Sequence, residues 1–541
     1  MSIELVDREL CNGCGICVTA CPLDVIRLDT LAADKGEYPS CRRACPAGVD
    51  MRSYLYLLRD GMIEEAMEVL RDALPLPAIT GRVCPHPCES ECSRNEVDEA
   101  VNINALERFV ADRWLDEKAE PVPQVYAAKV AVVGSGPAGL ACAYFLSRMG
   151  YPVTVFEARP VLGGMLRLGI PEYRLPRTVL DTQLGYIGRM GVEFKSGIAV
   201  GRDVTLEAVQ KEYAAVFYAV GNQSSRRLEI DGVGLGGVSW GLDFLAGVNL
   251  KRVTGVKGRV VVIGGGNVAV DVALTALRLG AESVEMVCLE SVGTMPAFKE
   301  EIDQAVEEGV RIYDGWGPKR ILGAGGEAAG VELVRCTCVY DGRGRFRPTY
   351  DERLTKTIGA DAVILAVGQT VDPASIPEKL KTTAGGTIQV DPVTLETTCP
   401  GVFAGGDVVS GPASVVEAVA AGRRASTSID RCLKKQDLKG GRRLLPKRVK
   451  RPPKEGVESV ARNAAPVLAA GQRAGNFKEV KLGFDEDTAD LEVQRCMTCG
   501  SRAVISYVDD CMLCLYCEQD CPQTAIYVSP EKKVLPLMPW R

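Results

Sequence analysis

Two segments, KVAVVGSGPAGLACAYFLSRMG and GRVVVIGGGNVAVDVALTALRLG, repeat one pattern and leave little freedom in how the middle of this chain can fold. In the first, a β-branched run at 130–133 leads into Gly134-x-Gly136-x-x-Gly139, and a helical pattern follows. Gly134 permits a tight turn, and Gly136 lets the backbone approach a pyrophosphate. Gly139 lets the helix pack closely on the strand, with its N-terminus facing the phosphates. The next run, YPVTVFEA, ends at Glu157, 18 residues past Gly139, where a carboxylate should bond a ribose hydroxyl. The second segment reads Gly264-x-Gly266-x-x-Ala269, and its following strand, SVEMVCLES, ends at Glu290, 21 residues past Ala269. A lone glycine triplet is weak evidence. Strand, turn, helix, strand and acid in register, twice over, predict two dinucleotide-binding folds, one for a flavin and one for a nicotinamide.

Cysteine and histidine supply the second constraint. The 541 residues include 21 cysteines and a single histidine, His86. One histidine rules out histidine-rich metal sites and argues against a Ser-His-Asp site, so chemistry is expected to come from bound cofactors. The start, MSIELVDREL, has no basic-then-apolar signal, and no run approaches the roughly 20 apolar residues of a membrane helix. The expectation is a cytoplasmic protein of three or more domains, with no membrane association. Its net charge of −6 gives no reason to expect nucleic acid. Clustered cysteines in such a chain read as metal ligands before disulfides. His86, in VCPHPC, reads as a surface or structural residue, with cluster tuning as the alternative.

The two ends carry the same signature, CNGCGICVTACP at 11–22 and CMLCLYCEQDCP at 511–522. Each is half of a bacterial two-cluster ferredoxin, in which three cysteines hold one cubane and the cysteine before proline serves the other half's cluster. The candidate ligands are Cys11, Cys14, Cys17 and Cys21, and Cys511, Cys514, Cys517 and Cys521. Flanking SIELVD, VIRLD, AVISYV and AIYVS read as the short strands of each half. Three arrangements stay open: the termini meet as one split ferredoxin, each half closes its own cluster, or each pairs with another subunit. Zinc is a remote alternative, since its four-cysteine sites show two separated pairs.

Downstream, GVFAGGDVVSGPASVVEAVAAGRRA resembles the second flavin motif of two-dinucleotide-binding-domain reductases. The resemblance implies that Gly406 and Asp407 lie at the flavin, Asp407 on its ribityl chain, with the helix starting near Ser414 facing the ring. YAVGN (218–222) and LAVGQT (365–370) match that family's crossings between flavin and nicotinamide domains, and GGMLRLGIPEYRLP, with Gly164, matches the segment that passes the flavin. CRRACPAGVD, TGRVCPHPCESEC and VNINALERF resemble the N-terminal iron–sulfur domain of the glutamate synthase small subunit. The electron-input half of dihydropyrimidine dehydrogenase and the larger subunit of NADH-dependent ferredoxin:NADP oxidoreductase share that domain. The likeness spans about residues 41–432.

It implies an α/β protein with two nested Rossmann-like dinucleotide-binding domains, for FAD and NAD, plus a helical iron–sulfur domain and terminal ferredoxin-like halves. The expected boundaries are 1–35 and 491–541 for the ferredoxin-like segments and 36–125 for the helical domain. FAD-binding parts fall at 126–225 and 361–433, around an NAD(H)-binding domain at 226–360, with a basic, solvated linker at 434–490. Docking of that linker to an acidic partner is its alternative reading.

The family's ligand pattern carries over residue by residue. Cys45, Cys84, Cys88 and Glu107 match one cluster, whose carboxylate ligand would alter its potential. Cys41 and Cys92 match the third and last ligands of the other, but no C-x-x-C precedes Cys41. LEVQRCMTCG resembles the missing opening motif, so Cys496 and Cys499 are expected to fold back and complete that site; otherwise they hold a separate metal or none. The total is about four 4Fe-4S clusters. Family members that use NADPH usually end the second nicotinamide strand with paired arginines, where this chain has Cys288-Leu289-Glu290. NAD(H) is therefore expected, unless Glu290 is a solvated strand-end charge.

The implied function is NAD(H)-linked electron transfer through FAD and 4Fe-4S clusters, with no catalytic side chain required. No substrate-converting domain is in view, so the partner is a catalytic subunit of a 2-oxoacid, aldehyde or aromatic acyl-CoA oxidoreductase, ferredoxin, or both. The alternatives are a free-standing NADH:ferredoxin oxidoreductase, bifurcating or not, a glutamate synthase small subunit, and a scaffold with structural clusters.

Overall fold

The computed structural model describes residues 2–6, 11, 17, 20–22, 25–29, 37–115, 119–442, 447–448, 457–499, 502–505, 511, 514–521 and 525–529. Cys14, one of the expected ligands, lies outside them. The molecule is α/β, built on two parallel five-stranded sheets. The first orders its strands Val402–Ala404, Ala215–Tyr218, Val130–Val133, Val153–Glu157 and Glu193–Ser196. The second runs Arg311–Asp314, Ser283–Cys288, Arg259–Ile263, Ala362–Leu365 and Val238–Trp240. Strands of the first sheet come from both sides of the second in sequence, which is the nesting expected.

The central strands are buried end to end, as their unbroken apolar runs require when helices cover both faces. Where the chain crosses between the sheets, Ser224–Ser225 and Gln369–Thr370 pair antiparallel, so the two crossings form one ribbon. A three-stranded antiparallel sheet, Trp316–Ala324, Glu327–Tyr340 and Phe346–Gly359, extends the second unit. The helix Val415–Leu433 packs on Pro137–Arg148, and Gly422 makes the close approach possible: a Cβ there would lie 2.2 Å from the Ala138 carbonyl oxygen.

Helices Ser40–Ala44, Met51–Arg59, Ile63–Arg71, Pro77–Val83 and Ile103–Arg113 share one apolar core with the first sheet, and the helix Glu486–Gln494 joins it through Ala489 and Val493. The terminal halves meet. Ser2–Val6 pairs with Ile526–Ser529, and Ile26–Asp29 pairs with Arg502–Ile505, both antiparallel. Val25, Ile26, Ile526 and Val528 form a small core between them.

Residues 466–484, expected to be solvated linker, instead run across three parts of the molecule. Glu479 pairs with Arg82 (2.8 Å) and Arg108 (3.0 Å) of the helical domain. Arg473 pairs with Glu307 (2.8 Å) and Lys481 with Glu300 (2.6 Å) in the second sheet's unit. The Val480 N–H donates to the Tyr173 carbonyl (3.0 Å) beside the first. Among the described residues, no helix is long and apolar enough to cross a membrane.

Candidate functional site

Three groups of predicted residues converge. The first surrounds a cavity lined by Gly134, Gly136, Gly164, Gly406, Asp407 and Ser414, among others. Gly134 has φ +106° and a Cβ on it would lie 2.4 Å from the Ala219 carbonyl oxygen, so only glycine closes this turn. Around Gly136 the position of a missing Cβ has nothing within 4 Å, leaving the backbone open to the cavity. Two helices begin here, at Pro137 and Val415. The second is held by a capping box in which Ser414 and Glu417 bond each other's backbone N–H, at 2.8 and 3.3 Å. Asp407 is half-buried, and desolvation pushes its carboxyl up to about 7. Glu157 is buried at the strand end. It accepts the Ser135 N–H (3.0 Å) and hydroxyl and the Arg159 N–H (2.9 Å), which fixes it beside the turn with acceptor capacity left. The glycines, helix starts and carboxylates fit a flavin dinucleotide.

The second group is Gly264, Gly266, Ala269 and Glu290. Gly264 repeats Gly134: φ is +146° and a Cβ would lie 2.3 Å from the Ala366 carbonyl oxygen. Gly266, like Gly136, faces open space. The Glu290 carboxylate stands against the turn, 2.9 Å from where a Cβ on Gly265 would be. The Ala297 N–H donates to the Gly265 carbonyl (3.1 Å) and the Phe298 N–H to Asn267 (2.9 Å), so the 295–298 segment folds over the same turn.

The third group is the cysteines. Cys41, Cys92, Cys496 and Cys499 line one cavity in the helical domain. The C-terminal pair is delivered by the helix Glu486–Gln494, whose Glu492 accepts the Asn102 N–H (2.7 Å). Arg495, which follows that helix, pairs with Asp98 (2.9 Å). Burial pushes the Cys41 thiol well up, and the Cys499, Cys496 and Cys92 thiolates add to that. Four thiolates in one buried pocket are unfavourable without cations, and bound iron would reverse the balance.

Cys45, Cys84, Cys88 and Glu107 form the neighbouring set. Burial pushes Cys84 up, with Glu107 the next contributor and Cys45 also acting on it. Glu107 is buried, accepts the Thr80 hydroxyl, and is raised to about 7 by desolvation. His86 touches this set through its backbone: its N–H donates to Cys84 Sγ (3.3 Å), while its ring faces Glu89.

At the termini, burial raises the Cys517 thiol to about 11, followed by the charges of Cys21, Cys511 and Cys514. Three cysteines of the C-terminal motif thus gather with the pre-proline cysteine of the N-terminal one. Cys11, Cys17 and Cys521 pack on the same small core. Among the described residues, no three His, Cys, Asp or Glu side chains close to the spacing of a single-ion site. The cavity bordered by Cys41, Cys92, Cys496 and Cys499 offers a four-thiol donor set that suits a cubane.

Residues 128–422 match the family described as pyridine nucleotide-disulphide oxidoreductase. The chain belongs to that family. Residues 34–119 match the dihydropyrimidine dehydrogenase domain II 4Fe-4S family, and residues 4–27 match the 4Fe-4S binding domain family. The chain is similar to the NADP(+)-dependent formate dehydrogenase subunit beta of Moorella thermoacetica, at 39% identity over 498 residues, 85% of this chain and 70% of that one. It is 36% identical over 505 residues to the NADPH-Fe(3+) oxidoreductase subunit beta of Geobacter sulfurreducens, covering 85% and 75%. Against the glutamate synthase [NADPH] small chain of Escherichia coli it is 34% identical, covering 72% and 88%. Mycobacterium tuberculosis FprA in complex with NADPH shares the fold over 57% of this chain and 85% of its own, with a TM-score of 0.50 at 21% identity. This family member is a flavin-dependent NAD(P)H oxidoreductase that carries electrons between a nicotinamide nucleotide, FAD and 4Fe-4S clusters.

Several contributors escaped the sequence reading. Ser414-x-x-Glu417 has the spacing of a capping box, a signal the sequence does carry. Ser135 anchoring Glu157, and Arg52 and Arg94 beside the four thiols, carried no pattern that would have singled them out.

Proposed function

We propose that the chain is the NAD(H)-linked electron-transfer subunit of a larger oxidoreductase, exchanging electrons with a partner catalytic subunit. The observation that carries this reading is the gathering of cysteines from both ends of the chain into shared sites. Cys496 and Cys499 stand immediately before the strand Arg502–Ile505 of the split ferredoxin in the chain, so the four-thiol site and the split ferredoxin are joined by a short stretch. About four clusters are assigned. Cys41, Cys92, Cys496 and Cys499 hold one, and Cys45, Cys84, Cys88 and Glu107 another. Cys511, Cys514, Cys517 and Cys21 hold a third, and Cys11, Cys14, Cys17 and Cys521 the fourth.

Bound FAD would accept hydride from the nicotinamide and release single electrons. The chain's own work is positional. Gly136 and the helix start at Pro137 receive the pyrophosphate, Glu157 holds the ribose, and Asp407 holds the ribityl chain. Glu290 accepts the nicotinamide nucleotide's ribose hydroxyls. A carboxylate there repels a 2′-phosphate, which supports NAD(H) although the relatives above are named for NADP⁺ or NADPH.

The two relatives aligned over 85% of this chain are beta subunits, whereas the glutamate synthase likeness covers 72%. A formate-oxidising partner therefore joins the 2-oxoacid, aldehyde and aromatic acyl-CoA types as candidates. Anaerobic isolation of the tagged protein from its own cells, with co-purifying chains identified by mass spectrometry, tests the assignment. A stoichiometric catalytic subunit is expected. A chain that comes alone and reduces ferredoxin with NADH would replace this reading with the free-standing reductase.

A further inference from the structure

The two four-residue sites of the helical domain differ in the charged side chains that line them. Cys41, Cys92, Cys496 and Cys499 share their cavity with Arg52 and Arg94, which are 3% and 5% exposed. Arg94 is bonded to Asp98 (2.8 Å), and Arg495, which acts on Cys92, is bonded to Asp98 and Glu492. Arg52 stands in the first turn of the helix Met51–Arg59, and the carboxylate acting on it, Asp50, also serves Arg42 and the Ser53 N–H. A guanidinium does not surrender its proton in a protein, so burial leaves a fixed cation at the wall of the thiol cavity.

Around Cys45, Cys84, Cys88 and Glu107 the buried charges are acidic. Glu107 belongs to the set, and Glu89, 4% exposed, acts on Cys84 and Cys88 and also reaches Cys92 of the other site. Glu89 is partly balanced by Arg462 (2.6 Å), the His86 ring (3.5 Å) and the Asn104 N–H (2.9 Å). One cation also acts here: Arg423 donates to the Ala47 carbonyl (2.9 Å), and its charge interacts with Cys45.

We propose that Arg52 holds the site of Cys41, Cys92, Cys496 and Cys499 at a higher reduction potential than its neighbour, making it the site where electrons collect. The proposal rests on the reading that both sets hold 4Fe-4S clusters. Reduction adds one electron and one negative charge and makes or breaks no bond. A buried guanidinium stabilises that added charge, and buried carboxylates oppose it. Because Cys499 leads directly into the Arg502–Ile505 strand, the favoured site is also the one next to the split ferredoxin.

The test is an EPR-monitored redox titration of the full, cluster-loaded chain with dithionite, alongside its iron content. Cys496→Ser identifies which signal belongs to the four-thiol site. In Arg52→Gln that signal is expected to keep its intensity and move to more negative potential by a factor of ten in the reduction equilibrium, 59 mV for one electron. Arg52→Lys should recover most of the shift, since it restores the charge. An unmoved signal in an iron-replete Arg52→Gln protein overturns the role of Arg52. A Cys496→Ser protein that keeps all its iron and all its signals overturns the cluster assignment, and the proposal with it.

Discussion

Gly134 and Gly264 close their turns alike, each with positive φ and each pressed against an alanine carbonyl from the neighbouring strand. The surroundings then diverge. At the first turn the helix comes so close that a Cβ on Gly139 would lie 1.9 Å from the Gly134 carbonyl oxygen, while the second turn accommodates Ala269 in the same place. Glu157 is buried and held by three donors, whereas Glu290 is half-buried and its carboxylate has no such cradle among the described residues. One turn is built to keep a ligand and the other to exchange one. On the proposed assignment the same fingerprint serves a resident cofactor and a visiting one, and the difference lies in burial and in how firmly the acid is held.

Gly139→Ala should break this comparison most severely. The methyl cannot fit without displacing backbone, so flavin content should fall below detection and the thermal transition should drop by many degrees. The reverse exchange, Ala269→Gly, should cost only about 0.5–1 kcal/mol in helix propensity and leave the flavin bound. Equal losses in the two variants would show that the closeness at Gly139 is not what distinguishes the turns.

The acids sharpen it next. Glu290→Arg should move the ratio of NADH to NADPH in anaerobic flavin reduction toward NADPH by tenfold or more, with flavin content unchanged. Glu157→Gln should do the opposite, weakening flavin retention without altering nucleotide preference. A wild-type protein that prefers NADPH would sink the role given to Glu290.

A pH effect should follow from Asp407. Its carboxyl is raised to about 7 by desolvation, so the folded, flavin-free protein holds a proton that the unfolded chain releases near pH 4. Stability of the deflavinated protein should therefore decline as pH rises through about 4 to 7, and Asp407→Asn should flatten that slope in chemical denaturation. The smallest effect is expected from Ser414→Ala, about 1 kcal/mol from the lost cap, with a modest weakening of flavin binding.

Much of this was readable from the residues because each piece is local. Strand, turn and helix at Gly134 and Gly264 follow from periodicity, and the cysteine spacings name their own chemistry. The return of Cys496 and Cys499 to Cys41 and Cys92 was legible as a gap in one place and a surplus in another. What could not be read depends on contacts between distant segments. Glu479 meets Arg82 and Arg108, and Tyr173 meets Asp271, through tertiary packing alone. The stretch around Glu479 carries no periodicity that announces a partner, so 434–490 reads as connecting chain. Arg52 was hidden for a similar reason: one arginine in an amphipathic helix reads as solvated until the cavity beside it is known.

The antiparallel pairing of Ile26–Asp29 with Arg502–Ile505 also has a consequence for the order of events during synthesis. In an ordinary ferredoxin these strands would be near neighbours in the chain. Here Ile26 faces Ile505, so the first half leaves the ribosome long before its mate exists. At about 5–20 residues per second that interval is on the order of a minute. Through it, Cys11, Cys17 and Cys21 lack the strands and thiols that would enclose them. Iron delivered in that window would meet an open site, and a nascent chain that stalls anywhere before the second motif could never close it. Completion of the ferredoxin therefore reports, by topology alone, that everything encoded between its halves has been made.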